Sequence, residues 1–184
     1  MSLTESYMLP LGTVAPEFKL PNTVDNKNYN LNNLIGKKGT LIVFMCNHCP
    51  YVIHLIDPLI QTAGKYLNKE INTIAISSNS IKTHPQDGPE EMKKFALNKN
   101  FSFPYLYDES QEIAKKYNAA CTPDFYLFDK NLKLVYRGRY DDSRPGNHKS
   151  VSGKDLHYAL DNLLNDKEIK SNQYPSMGCN IKWH

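Results

Sequence analysis

The chain has 184 residues, 40% hydrophobic and 22% charged. That suffices for one ordinary domain with a real core, and it is too apolar for a disordered chain. The net charge of +3, from 22 basic and 19 acidic residues, is small and evenly spread, which argues against nucleic acid or an anionic membrane as a main partner.

The opening stretch, "MSLTESYMLPLGTVAPEF", has no basic leader and no long apolar run, so a cytoplasmic protein is expected. No segment approaches the length of a membrane span. "TLIVFM" (40–45) is a continuous apolar, β-branched run, the pattern of a strand buried on both faces. From Cys49 to Leu67 the apolar residues Val52, Ile53, Ile56, Leu59, Ile60 and Ala63 keep helical spacing, with Pro58 as a point of bending. "INTIAIS" (71–77) is a second strand. Pro89, Glu90 and Glu91 open a helix, with proline in the first turn and acids at the positive end of the dipole. "FPYLYD" is a short strand, and Asp108 with Gln111 is a capping-box variant that starts a helix running to Tyr117. "DFYLFD" and "LKLVYRGRY" are two strands joined by a two-residue turn at Lys130-Asn131. A last amphipathic helix carries Leu156, Ala159, Leu160, Leu163 and Leu164, and the tail "NQYPSMGCNIKWH" is expected to be irregular. The order gives parallel crossovers first and an antiparallel edge second, a central mixed sheet with helices on both faces. Residues 8–36 form an N-terminal extension and 171–184 a C-terminal tail, within a single domain spanning 1–184.

The chain has four cysteines: Cys46, Cys49, Cys121 and Cys179. A disulfide framework does not suit a chain of this size, whereas Cys-x-x-Cys beside a βαβ pattern reads first as redox and second as metal. Cys46 and Cys49 stand where a buried strand ends and a helix begins. Unsatisfied N–H groups and the helix dipole there lower a thiol below its free value of about 8.5. Cys46, just ahead of the helix, is expected to be the more exposed, low-pKa nucleophile, and Cys49 the buried resolving thiol. His48 lies between them and can stabilise the Cys46 thiolate; the alternative is a solvent-facing loop residue. Structural zinc usually brings a second closely spaced ligand pair, which is absent, so no metal is expected. No organic cofactor is implied.

"CTPDFYLF" adds a Thr-Pro pair at the head of a strand, a candidate cis peptide. With "APEFKLPN", "LIVFMCNHCPYV", "YRGRYDD" and "YPSMGCNIKW", it makes the chain resemble the thioredoxin superfamily. The closer resemblance is to its peroxiredoxin-like branch, the alkyl hydroperoxide reductase and thiol-specific antioxidant proteins. The resemblance implies an α/β thioredoxin-like fold. It also implies that Thr122 and Pro123 face the dithiol and hold an extended substrate segment. It places Cys121 near the dithiol as a candidate third thiol, against the plainer reading of a small core residue. Cys179 remains open between redox use and packing.

The departures matter as much. The resemblance to peroxiredoxins would call for a proline seven residues before the reactive cysteine and a Thr or Ser three before. Counted from Cys49 those places hold Ile42 and Cys46; counted from Cys46, Gly39 and Val43. For the companion arginine, Arg137, Arg139 and Arg144 are candidates. The buried acid that thioredoxins carry on the central strand has no counterpart between Lys37 and Asp57. His48, His54, Asp124 or water would have to accept the proton during resolution. The expectation is a thiol–disulfide oxidoreductase whose partners are protein or small-molecule disulfides and a thiol reductant. A thiol-dependent peroxidase and a non-catalytic redox sensor are the alternatives. The oligomeric state stays open.

Overall fold

A computed structural model describes residues 3–184. The strands are β1 (Leu3–Glu5), β2 (Lys19–Pro21), β3 (Asn28–Asn30), β4 (Gly39–Phe44), β5 (Ile71–Ser77), β6 (Tyr105–Tyr107), β7 (Cys121–Thr122), β8 (Asp124–Asp129), β9 (Leu134–Gly138) and β10 (Met177–Asn180). The helices are α1 (Pro50–Leu67), α2 (Pro89–Asn98), α3 (Glu112–Lys116) and α4 (Lys154–Leu164), with single 3-10 turns at Leu31–Asn33 and Pro85–Asp87.

The central sheet runs β6-β5-β4-β8-β9. β4, β5 and β6 are parallel, and β8 and β9 are antiparallel to their neighbours. Every residue of β4 is buried, as its unbroken apolar run requires. Its side chains alternate between two cores. Leu41 and Val43 pack with Val52, Ile56 and Leu59 of α1 and with Leu156 and Leu160 of α4. Ile42 and Phe44 pack on the other face with Leu31, Ile113 and Tyr117. The second core also takes Leu9, Ala15, Phe18 and Leu20. The segment ahead of β4 is therefore a layer of the body rather than an appendage. Tyr117 and Tyr126 both make edge-on ring contacts there, each worth about 0.5–1.5 kcal/mol beyond area burial. This mixed sheet with helices on both faces is a thioredoxin-like fold.

Three local readings change. The connection between β8 and β9 spans residues 130–133 instead of two residues. Leu132 takes a left-handed φ of 58°, and the Asp129 and Lys133 backbones close the loop. The helix after β6 is shorter than the capping pattern suggested. Asp108 nonetheless caps it, accepting from the backbone N–H of Ala114 at 2.9 Å. The tail is not irregular throughout. β10 pairs antiparallel with β1 on one side and with β7 on the other, in a separate three-stranded sheet. Past β10, Ile181 is buried, and the Lys182 backbone N–H donates to Asn79 Oδ1 at 2.9 Å.

Asp124, at the head of β8, is wholly buried. Its Oδ2 accepts from Ser6 at 3.1 Å and Tyr126 at 2.8 Å. Burial outweighs these donors and pushes its carboxyl up to about 7, from an ordinary 3.8. A carboxyl raised on folding favours the native state below its unfolded pKa, and that advantage disappears as pH rises through the folded value. Stability should therefore fall between about pH 4 and pH 7 on account of this group. Asp124→Asn should lack that slope and be more stable than wild type at pH 8 by on the order of 2–4 kcal/mol, seen as unfolding at higher urea. Denaturation curves at pH 4 and pH 8 check this; parallel slopes for the two proteins would contradict it.

Candidate active site

The dithiol sits at the carboxyl end of β4. The Met45 N–H still bonds to the Ile76 carbonyl, so the chain leaves the sheet at Cys46. Cys49 is the extended residue before α1, and its carbonyl accepts from the N–H groups of Val52 and Ile53 at 2.9 Å. Pro50 occupies the first helical position, where its missing N–H would have had no partner. The Thr122–Pro123 peptide is cis, and Thr122 touches both sulfurs. Its hydroxyl lies 3.5 Å from Cys46 Sγ, and its carbonyl oxygen 3.1 Å from Cys49 Sγ.

The expected difference in exposure is absent. Cys46 is 1% exposed and Cys49 0%. Cys46 is enclosed by Thr122, His48 and the loop after β5; Cys49 lies against Thr122 and Cys179. Among the described residues no disulfide is formed.

An acid that the sequence reading did not single out organises the rim. Asp87, fully buried in the turn before α2, accepts from His48 Nδ1 at 2.6 Å, the Asn47 N–H at 2.9 Å and Asn79 Nδ2 at 2.8 Å. His48 Nδ1 is 3.9 Å from Cys46 Sγ, so its short bond goes to Asp87 and not to the thiol. Its ring stacks on His84 at 5.0 Å between centroids. His48 is therefore a fixed part of the wall rather than a loop residue in solvent. The only sequence cue to Asp87 was its place in a polar loop at the dithiol end of the sheet. The contact spans 40 residues of chain and has no local signature.

Cys46, His48 and Asp87 offer ligand atoms within 4.8 Å of one another, a donor set of the kind that divalent zinc accepts. Both carboxylate oxygens already accept hydrogen bonds, and His48 Nδ1 is committed to one of them. Metal binding would have to break that network.

The charge order also departs from expectation. The Cys46 thiol is pushed up, first by donating to Cys49, then by burial and by the Asp87 charge. Cys49 is lowered to about 5, first by the Cys46 thiol and then, against burial, by the Cys179 and Thr122 side chains and the Cys179 N–H. The Thr122 carbonyl opposes this, since it suits a protonated Cys49. The shifts of the two thiols run in opposite directions and favour the negative charge of the pair on Cys49 over Cys46.

Cys121 is buried on β7, its sulfur 3.8 Å from the Pro123 carbonyl and 3.9 Å from that of Ser176. Burial holds its thiol well above the ordinary range. The thiol beside the pair is Cys179, opposite Thr122 in the β7–β10 register. Arg139 and Arg144 line the cavity beside Pro123, and each of the three candidate arginines has a protein partner. Arg137 bonds the Leu9 carbonyl and Gln173, Arg139 pairs with Asp155 at 2.6 Å, and Arg144 reaches Met177. His54 bonds Ser143 at 3.2 Å.

A thioredoxin-like fold with a paired thiol at the strand–helix junction defines the class. Residues 11–137 match the AhpC/TSA family, and the chain belongs to it. It is similar in structure to an uncharacterized conserved protein from Geobacillus kaustophilus, with 48% identity, a TM-score of 0.98, and coverage of 100% of this chain and 97% of that one. A hypothetical protein from Sinorhizobium meliloti 1021 is 40% identical, with a TM-score of 0.95 and 98% of each chain covered. The thiol-disulfide oxidoreductase ResA of Bacillus thuringiensis is 24% identical over 132 residues, 72% of this chain and 71% of its own.

The charge order has a direct readout. Thiolate ultraviolet absorbance of the reduced protein should titrate with a midpoint near pH 5. Cys49→Ser should abolish that step, and Cys46→Ser should move it up, because the Cys46 thiol is the largest lowering influence. Survival of the step in Cys49→Ser would reverse the assignment.

Proposed function

We propose that the protein is a thiol–disulfide oxidoreductase that works through Cys46 and Cys49. The observation that carries this reading is the position of Thr122, with its hydroxyl on one sulfur and its carbonyl on the other. Cys46 is the attacking sulfur. It faces the Thr122 hydroxyl and the partly exposed His48 at the rim, whereas Cys49 is covered by Cys179. Transfer of the shared proton from Cys46 to Cys49 moves the charge onto the attacking atom. Cys46 then displaces one sulfur of the substrate disulfide and forms a mixed disulfide. The first displaced substrate thiolate takes the proton from Cys49, and the Cys49 thiolate attacks Cys46 Sγ, breaking its bond to the substrate. The second substrate sulfur leaves as a thiolate that water protonates, so Cys46–Cys49 is oxidised and the substrate reduced. His48 and Asp87 are positioning residues that hold the Asn47–His48 turn. A cavity of about 260 Å³ beside Pro123, lined by Tyr51, His54, Arg144 and Met177 among others, has room for a substrate side chain. The substrates are protein or small-molecule disulfides.

Peroxide reduction is the weaker reading. Ile42, Cys46, Gly39 and Val43 fill the places where peroxide-positioning Pro and Thr would stand.

Cys49→Ser incubated with a disulfide-bonded substrate should accumulate a Cys46-linked mixed disulfide on non-reducing gels, and Cys46→Ser should accumulate little. Stopped-flow oxidation by hydrogen peroxide should be slower than exchange with the disulfide. Equal trapping by both variants would sink the order of attack. Peroxide outpacing the disulfide would favour the peroxidase.

A further inference from the structure

Cys179 is not used by the reaction proposed above, yet it is built into the site. β10 lies along the β7 edge in antiparallel register, Cys179 opposite Thr122 and Asn180 opposite Cys121. Cys179 is buried in the same cluster as Cys49, whose sulfur lies on the Thr122 carbonyl opposite it, and the Cys179 thiol and N–H both act to hold the Cys49 thiol down. Cys49 thus has a thiol partner on each side, Cys46 from its own turn and Cys179 from the tail. Gly178 keeps the strand at this depth. A β-carbon there would collide with the Thr122 carbonyl, which no side chain could relieve because the obstacle is backbone. The strand is also held from its far side by β1, where Leu3 pairs with Cys179.

We propose that Cys179 is a third redox thiol, which takes Cys49 from Cys46 after the dithiol has been oxidised. The inference rests on the exchange reaction proposed above. Cys179 loses its proton and attacks Cys49 Sγ of the Cys46–Cys49 disulfide. The Cys49–Cys179 bond forms as the Cys46–Cys49 bond breaks. Cys46 leaves as the thiolate and takes up the proton. The step is an isomerisation, with no net oxidation and no further reactant. It returns Cys46 to the thiol state and stores the disulfide between α1 and the tail strand.

The test uses the full chain oxidised with glutathione disulfide, blocked with an alkylating agent, digested without reduction and mapped by mass spectrometry. Wild type should give both Cys46–Cys49 and Cys49–Cys179 linkages. Cys179→Ala should give Cys46–Cys49 alone. Cys46→Ser should give Cys49–Cys179 and retain no glutathione on Cys49. Gly178→Ala, which pushes β10 off Thr122, should lose the Cys49–Cys179 linkage and keep Cys46–Cys49. Circular dichroism of each variant verifies that it is folded. If Cys46–Cys49 forms but Cys179 stays alkylatable in both wild type and Cys46→Ser, this inference fails and the exchange reaction stands. If no linkage involving Cys46 or Cys49 forms in wild type, both fail.

Discussion

The pairing of β10 with β7 is the constraint on which the rest of the site depends. β7 is only two residues long, and Thr122 must serve both sulfurs of the dithiol while its backbone pairs with the tail. Without β10 that short edge would expose unpaired backbone groups beside the thiols. With β10 in place, Thr122 is fixed, Cys49 is covered and Cys179 is delivered to it. The geometry of the junction between β4 and α1 is thus set partly by a segment about 130 residues further along the chain.

The second constraint is electrostatic. A buried carboxylate is expensive unless hydrogen bonds replace its water. Asp87 has three such donors, one from each of Asn47, His48 and Asn79. Two of these belong to the turn between the cysteines, so the acid braces that turn. The same charge disfavours a thiolate on Cys46 and leaves the negative charge to Cys49. Asn79 links the two constraints: its amide donates to Asp87 and its carbonyl accepts from the Lys182 backbone just past β10. Tail, acid and dithiol turn therefore form one connected network.

What could be read from the sequence was whatever depends on local pattern. The apolar run of β4, the helical spacing of α1 with Pro50 at its start, and β5 all follow from periodicity and capping. The Cys46–Cys49 pair followed from its Cys-x-x-Cys spacing at a strand–helix junction, and only the placing of Thr122 and Pro123 opposite it came with the resemblance to a known family. What could not be read depends on contacts between distant segments. Nothing in "PQDG" marks Asp87 as buried, since its partners are Asn47 and His48 of the dithiol turn and Asn79 eight residues back in its own connection. Nothing in "SMGC" marks a strand, because Gly178 has low strand propensity and is there for close approach to Thr122. The exposure of Cys46 failed partly for the same reason: beside His48, the groups that enclose it are Thr122 and Asp87, far away in the chain.

For the exchange reaction proposed above, the closed dithiol has to open, and the pairing of β7 with β10 sets how much must give. β7 offers β10 only a two-residue edge, and a backbone hydrogen bond contributes about 0.5–1.5 kcal/mol net. Separating these two strands breaks those bonds and the Ser176 hydroxyl bond to the Pro123 carbonyl and uncovers the buried Cys179, a local opening rather than global unfolding. The remainder of the tail need not leave. Ile181 is buried in the second core, and Lys182 and His184 are held by Asn79 and Gln111. On the other side β10 keeps its longer pairing with β1. The weak edge is thus the one that faces the thiols. An incoming extended segment that pairs with β7 would replace the same backbone bonds that β10 gives up, so the exchange of one strand for another is close to neutral in hydrogen bonding. What distinguishes the internal occupant is its cysteine, already placed opposite Thr122.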